Sequence, residues 1–525
     1  MIKRLGIITI LTALAGSLLY MHIFSVITCE KYKNTALSQG SCTISAGLQN
    51  GCIYDCSLKK LTCSEEINLC AVNPESDAIA EILPHATDKK DFYSKLKYGK
   101  PFICETDTDK FQSPNITVFK SFRRYSENQT ARHIIGYTAE GKGICGLELS
   151  YDTFLRSFES QNTIKYKTDG NGDVLEGVSR EISFAEDIKG GVVTSIDYEV
   201  QKICEDSAKN IKKGAIVVMD IKTGEIKAIA SFPSYDTNNL ADALNDENSP
   251  LLNRALCSYN AGSVFKLLIC QCAVESGISD NYTYNCTGSE NVSGQIFRCH
   301  KKSGHGYQDM KTAVANSCNT YFIKLGSRIS SERLLETAEK IGFGSEIRLA
   351  DKLYTDSGNL PSYDELELPA EKANFSFGQG KLLVNPIQIT QMICGIANNG
   401  IMPSAVLVKG ITYDGINIEN TNKPVLNEIM SPDTAKLLQE FMTSAVTEKS
   451  NAWSDKIKIS AKTSTAQTGN YDENGNELCH AWVSGYFPSD NPQYAMTILV
   501  ENGGYGNESA SPILKECAEK IISCK

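Results

Sequence analysis

From Leu5 to Ile27 the chain reads LGIITILTALAGSLLYMHIFSVI, 23 residues with no formal charge and only His22 and a few small polar residues as interruptions. As a helix this run spans about 34 Å, enough to cross a hydrocarbon core of about 30 Å. Lys3 and Arg4 precede it, so the positive-inside tendency predicts a cytoplasmic tip and an outward location for everything after Thr28. Ala13-Leu14-Ala15 has the small-x-small form of a cleaved leader, but the apolar run continues well past it, and an uncleaved anchor is expected. Residues 29–189 then mix polar loops with short strand-like runs and show no long periodic helix. From about residue 190 the pattern sharpens. VVTSIDYEVQKICEDSAKN predicts a strand entering an amphipathic helix, and GAIVVMD and EIKAIAS predict two strands joined by a turn at Ile221–Gly224. SVFKLLICQCAV is apolar nearly all round and predicts a buried helix ending near Gly277. KIKISAKTS, AWVSGYF and YAMTILV predict three further strands, followed by a closing helix around Pro512–Ile522. Strands at both ends of a helical middle predict an α+β domain whose sheet draws on both ends of this region.

Composition bounds the function. The 525 residues are 41% hydrophobic and 22% charged, a globular balance that suits two or three domains. The formal net charge of −10 leaves no broad cationic surface, so nucleic acid is not an expected partner. Nineteen cysteines are too dilute in this length for a small disulfide-stapled scaffold.

Three short segments carry candidate chemistry. In Ser263-Val264-Phe265-Lys266 the spacing of three puts serine and lysine on one helix face, one turn apart. The serine opens the helix, where free N–H groups favour a developing oxyanion, and burial makes the lysine less basic. Such a lysine can take the serine's proton. The bare pattern is common: Ser57-x-x-Lys60 and Ser94-x-x-Lys97 match it too, but in polar, lysine-rich stretches. The second segment, Ser317-Cys318-Asn319, joins two helix-like runs, MKTAVAN and TYFIKLG. There Ser317 can relay protons and the Asn319 amide can hold a substrate amide. The third is Lys462-Thr463-Ser464-Thr465, at the end of the strand KIKISAK, where a lysine charge and hydroxyls face an extended peptide or a carboxylate. Lys222-Thr223-Gly224 looks similar but is turn chemistry ahead of the serine. Cys286, Cys299, His300 and His305 fit no standard zinc-finger spacing, so no metal is expected. A Cys286–Cys299 disulfide is expected in oxidising surroundings. None of the six histidines stands in a serine-triad context.

Taken in order, the three segments stand 54 and 145 residues apart and resemble the penicillin-binding protein transpeptidases. IVVMDIKTGEIKAIASFPSYDTN, FSFGQGKLLVNPIQI and HAWVSGYFPSDNPQYAM resemble further family blocks, and RHIIGYTAEGKGICGLELSYDTFL is similar to the pedestal of the monofunctional, class B members. The resemblance implies a penicillin-binding, β-lactamase-like transpeptidase domain over 190–525, a pedestal over 29–189 and an anchor over 1–28. It implies Ser263 as acylated nucleophile, Lys266 as its base, and Ser317, Asn319 and Lys462 lining the cleft and managing protons. Thr463 and Thr465 would hold a carboxylate, with the N–H groups of Ser263 and Thr465 as oxyanion hole. The implied activity is D,D-transpeptidation of peptidoglycan stem peptides without a cofactor, with β-lactams acylating the same serine. A catalytically weak scaffold or β-lactam sensor and a D,D-carboxypeptidase are the alternatives. The roughly 160 residues ahead of residue 190 are too few for a glycosyltransferase domain, so a membrane glycosyltransferase partner is implied. No repeat domain is expected past the closing helix. Ser464 departs from the family's usual glycine and is expected to crowd the cleft.

Overall fold

The computed structural model describes residues 2–32, 40–169, 171–175 and 177–524. Helix α1, Ile2–Thr28, covers the whole N-terminal apolar run, and it is long and apolar enough to cross a membrane. Two compact units follow from the chain's contacts. The first comprises Met1–Asn50, Cys63–Arg124 and Phe158–Ile188, and the second Gly51–Thr62, Tyr125–Ser157 and Lys189–Lys525. A single change of pattern near residue 189 therefore does not describe the packing. Cys52–Tyr54 lies parallel to Gly191–Val193, and Ile53, Ile134, Leu147 and Leu155 are buried in the second unit's main core.

The first unit is built on two three-stranded antiparallel sheets. One places Ser160–Lys167 between β1 (Ser41–Gln49) and Glu181–Ser183, and the other centres on β2 (Glu65–Val72), between Phe102–Thr106 and Ile116–Arg123.

The second unit holds an antiparallel five-stranded sheet. Its strands β3 (Gly214–Asp220), β4 (Ile226–Phe232), β5 (Ser460–Tyr471), β6 (Glu477–Phe487) and β7 (Tyr494–Val500) lie in the order β4-β3-β7-β6-β5. Alternation sorts the side chains of β3. Ala215, Val217 and Met219 enter one core, while Ile216 and Val218 enter the other. The second core is closed by Tyr198–Ser207 and by the C-terminal helix Ser511–Ser523. The first contains α2 (Lys266–Glu275), α3 (Asn319–Gly326) and α4 (Pro386–Ala397). Helix α4 is buried along its whole length, as its apolar perimeter requires, and opens on a capping box between Asn385 and Gln388 with Pro386 in its first turn. Lys222-Thr223-Gly224 forms the turn between β3 and β4, held by Asp220 Oδ1, with Gly224 at φ +67°.

Candidate active site

Three elements of the second unit bring the chemistry together. A 3₁₀ turn, Gly262–Phe265, leads into α2 and presents Ser263 at its start. Gly262 is at φ +57°, and a Cβ there would lie 2.3 Å from Ser464 Oγ. The turn is backed by Gly378, whose own added Cβ would stand 2.0 Å from Gly262 O, while Gly262 N donates to Gly378 O at 2.8 Å. Two glycines thus permit a close approach that fixes the nucleophile's backbone. Ser317 sits between Met310–Ala315 and α3 with φ +51°, a left-handed conformation that costs a non-glycine residue energy. Lys462–Thr465 lies inside β5, the edge strand of the sheet, and not at a strand end. β5 continues because Tyr471 still pairs with Glu477 across a register shift. Thr463 and Thr465 share one side of the strand, and Lys462 and Ser464 the other.

Ser317 is the hub. Its hydroxyl donates to Ser263 Oγ at 2.7 Å, and it is reached by Lys266 Nζ at 3.4 Å and Lys462 Nζ at 3.2 Å. Among the described residues no hydrogen bond joins Lys266 Nζ to Ser263 Oγ; Ser317 stands between them. Lys266 Nζ also donates to Ser317 O at 2.8 Å and to Asn319 Oδ1 at 2.7 Å, and Lys462 Nζ to Thr463 O at 2.7 Å. Both lysines are buried. Desolvation lowers Lys266 to about 8. It lowers Lys462 to about 7, with the nearby charge of Lys266 adding to the effect. Among the described residues neither faces a carboxylate that restores its charge, so near neutral pH the pair offers a neutral amine. A neutral Lys266 that donates to Ser317 O and Asn319 Oδ1 keeps its lone pair for the Ser317 proton, which it can accept once that hydroxyl turns from Ser263 Oγ and takes the Ser263 proton instead.

Ser263, Ser317 and Asn319 open onto a cleft of 440 Å³ that also exposes Thr463 and Thr465. Sequence reasoning missed the rest of its wall, including Arg298, His300, Gln379, Gln467 and Tyr505, because no local spacing links these positions. Ser464 lines the cleft, and its side chain fills the gap between β5 and the nucleophile turn instead of standing free in the opening. It is buried, and its hydroxyl accepts from Ser263 N at 2.7 Å and donates to Ala261 O at 3.0 Å. His480 lies within β6 and accepts from Asn502 N at 3.2 Å, away from any serine relay.

The expected Cys286–Cys299 disulfide is not present; both thiols are free. Instead the ligating atoms of Cys286, Cys299, His305 and Cys318 lie within 4.8 Å of one another. His305 Nδ1 is 3.4 Å from Cys299 Sγ and 3.7 Å from Cys286 Sγ. Cys299 and Cys318 share a thiol hydrogen bond that holds Cys299 low and Cys318 high. Three thiols and one imidazole are the donor set of a closed tetrahedral zinc site, whose sulfur edges would be about 3.8 Å for Zn–S bonds of about 2.3 Å. The residues fit such an ion after a small contraction. Such an ion would be structural, since Cys286, Cys299, His305 and Cys318 would fill all four positions.

A family model described as the penicillin binding protein transpeptidase domain matches residues 214–519. The chain belongs to this family. Among curated relatives, it is 28% identical over 419 residues to stage V sporulation protein D of Bacillus subtilis, covering 75% of this chain but only 62% of that protein. It is 26% identical to the peptidoglycan D,D-transpeptidase MrdA of Haemophilus influenzae (81% of this chain, 74% of MrdA) and 28% identical to the D,D-transpeptidase PbpA of Mycolicibacterium smegmatis (75% and 83%). Among solved structures, the fold is shared with penicillin-binding protein A of M. tuberculosis in a ceftriaxone acyl-enzyme complex, at TM-score 0.65 and 24% identity over 76% of this chain and 93% of that one. A chain from a peptidoglycan synthase complex matches at TM-score 0.72 and 24% identity over 99% of both.

Proposed function

We propose that this penicillin-binding protein is a membrane-anchored peptidoglycan D,D-transpeptidase that works through a Ser263 acyl-enzyme. The observation that carries the reading is Ser317 Oγ, 2.7 Å from Ser263 Oγ and within hydrogen-bond reach of two buried lysines. Ser263 Oγ attacks the D-Ala-D-Ala carbonyl of a stem peptide. As the Oγ–C bond forms, the serine proton passes through Ser317 to the lysine pair and the carbonyl π electrons move to oxygen. Collapse expels D-Ala, whose amine takes the proton back, and an amine from a neighbouring stem then takes the acyl group. The Asn319 amide and the Thr463 and Thr465 hydroxyls hold the substrate in an extended pose along the edge strand. A β-lactam opens on the same serine and leaves slowly. Helix α1 anchors the chain in the bacterial cell membrane as a single span, with the catalytic unit outside. Glycan polymerisation falls to a membrane glycosyltransferase partner. Among the structural relatives, one chain comes from a complex coordinating polymerisation and crosslinking, and Helicobacter pylori PBP2 was solved with MreC. The four-residue Cys–His cluster supports a zinc ion that braces Cys318 between Ser317 and Asn319.

The test is fluorescent-penicillin labelling of the detergent-solubilised full-length protein beside Ser263→Ala and Ser57→Ala variants, followed by a crosslinking assay on stem peptides with an amine acceptor. Labelling lost only in Ser263→Ala, with amide product formed, is the expected result. A folded wild-type protein that takes no label would refute acyl transfer, and release of D-Ala without amide product would make the enzyme a carboxypeptidase.

A further inference from the structure

The amide of Ser263 is the first group an oxyanion should meet at the start of the nucleophile turn, yet it is already engaged. Ser464 Oγ accepts its N–H at 2.7 Å, and the Ser464 hydroxyl proton is committed to Ala261 O at 3.0 Å. The side chain cannot easily turn elsewhere, because Ser464 is buried, with Gly262 close against its hydroxyl and Gly506 close against its backbone. In front lies Gly262, where even a Cβ would stand 2.3 Å from Ser464 Oγ. Behind lies Gly506, whose Cβ would fall 2.5 Å from Ser464 O and 3.1 Å from Ser464 N. In the sheet, Ser464 is registered opposite Trp482, which is itself buried. The strand is therefore held at a fixed distance from the turn, and the gap between them is filled by this hydroxymethyl group.

We propose that Ser464 is a latch on the oxyanion hole: in the resting enzyme its hydroxyl satisfies the Ser263 amide, and the developing oxyanion of the substrate or of a β-lactam must displace it. The inference rests on the acyl-transfer reading above and makes Ser464 a positioning residue, since it acts through the Ser263 amide. The competition has a definite direction. A neutral hydroxyl is a weaker acceptor than an oxyanion, so the latch yields as charge develops. The exchange still breaks one well-formed neutral hydrogen bond, which lowers the acylation rate by a factor on the order of ten. A whole oxyanion-hole donor is worth about a hundredfold or more in rate, so the latch slows acylation without abolishing it. Because the exchange belongs to the transition state, the non-covalent complex that precedes acylation is not affected. A slow penicillin-binding protein with a complete set of catalytic residues is the phenotype of this arrangement.

The experiment is stopped-flow acylation of the full-length protein by a chromogenic cephalosporin, with wild type, Ser464→Ala and Ser464→Gly compared at matched thermal stability. Ser464→Ala removes the hydroxyl and keeps the packing. It should raise the saturating acylation rate constant about tenfold and leave the pre-acylation dissociation constant unchanged. Ser464→Gly provides the same comparison should the alanine variant fail to fold. An aryl boronic acid gives the second readout. Boron takes the Ser263 oxygen, the lysine pair takes its proton, and one boronate oxygen enters the hole, so the inhibitor should bind the variants about tenfold more tightly. Unchanged or slower acylation in both variants would overturn the latch; slower acylation would mean that the hydroxyl instead donates to the oxyanion. If wild type and variants are folded but none is acylated, the acyl-transfer reading itself fails, a result distinct from a latch that is absent.

Discussion

Lys266 and Lys462 are the residues whose environment most determines what this site can do. An exposed lysine stays protonated at neutral pH and cannot accept a serine proton. Burial brings these two to about 8 and about 7 and so places a free amine beside Ser317. The sign of the pH dependence follows. The base form of each lysine grows as pH rises through its folded value, so acylation should increase from pH 6 and level off near pH 9. With ordinary lysines near 10.4 it would still be climbing there. Measuring the acylation rate constant across that range on the full-length protein checks it, and a flat profile would remove the lysines from the proton path. Much at this scale was legible in the sequence. Ser263 and Lys266 stood out because only that pair opens an apolar helix. The direct serine-to-lysine contact expected from the spacing is replaced by the Ser317 relay, because the left-handed turn at Ser317 carries its hydroxyl in between.

At the scale of elements, strands and helices followed from period and composition, whereas the contacts between distant elements did not. β5 runs on to Tyr471 although AQTGNY reads as polar loop, since its pairing partner is β6. Gly378 lies in the block FSFGQGKLLVNPIQI, and nothing in that local pattern shows that its lack of a Cβ lets the Gly262 carbonyl approach. Of the Cys–His cluster, the sequence brings Cys286, Cys299 and His305 together but offers His300, not Cys318, as the fourth member. Cys286 and His305 flank a hairpin, Ser289–Val292 with Gln295–Arg298, and Cys318 is the cap residue of α3. Only the fold makes Cys318 a neighbour of the others. The cluster ties that hairpin to the residue between Ser317 and Asn319, so its integrity should be felt in catalysis. Purified protein should carry about one zinc ion per chain. Cys318→Ser should lower that content, reduce the melting temperature by about 5 °C and slow acylation. Elemental analysis with thermal melts checks it. Metal-free protein with unaltered stability after exhaustive chelation would reduce the cluster to four packed side chains.

For the whole molecule, the order of the chain constrains how the site can form. The five-stranded sheet takes β3 and β4 from before the nucleophile and β5, β6 and β7 from the C-terminal end, so Ser263 has neither Lys462 nor its strand neighbours until nearly all of the chain is available. Segments 51–62 and 125–157 also belong to the second unit, which means the catalytic unit folds around pieces separated by much of the first. A chain assembled in this way must have its two units on the same side of any membrane that α1 crosses. Under the proposed topology, with Lys3 and Arg4 at the cytoplasmic end of α1, that side is the outside. In intact spheroplasts expressing the full-length protein, external protease should therefore digest everything beyond α1, and a membrane-impermeant fluorescent penicillin should label Ser263 before any lysis. Protection of both until the membrane is opened by detergent would reverse the orientation. It would also place the site where no peptidoglycan stem peptide could reach it, and the transpeptidase reading would fall with the topology.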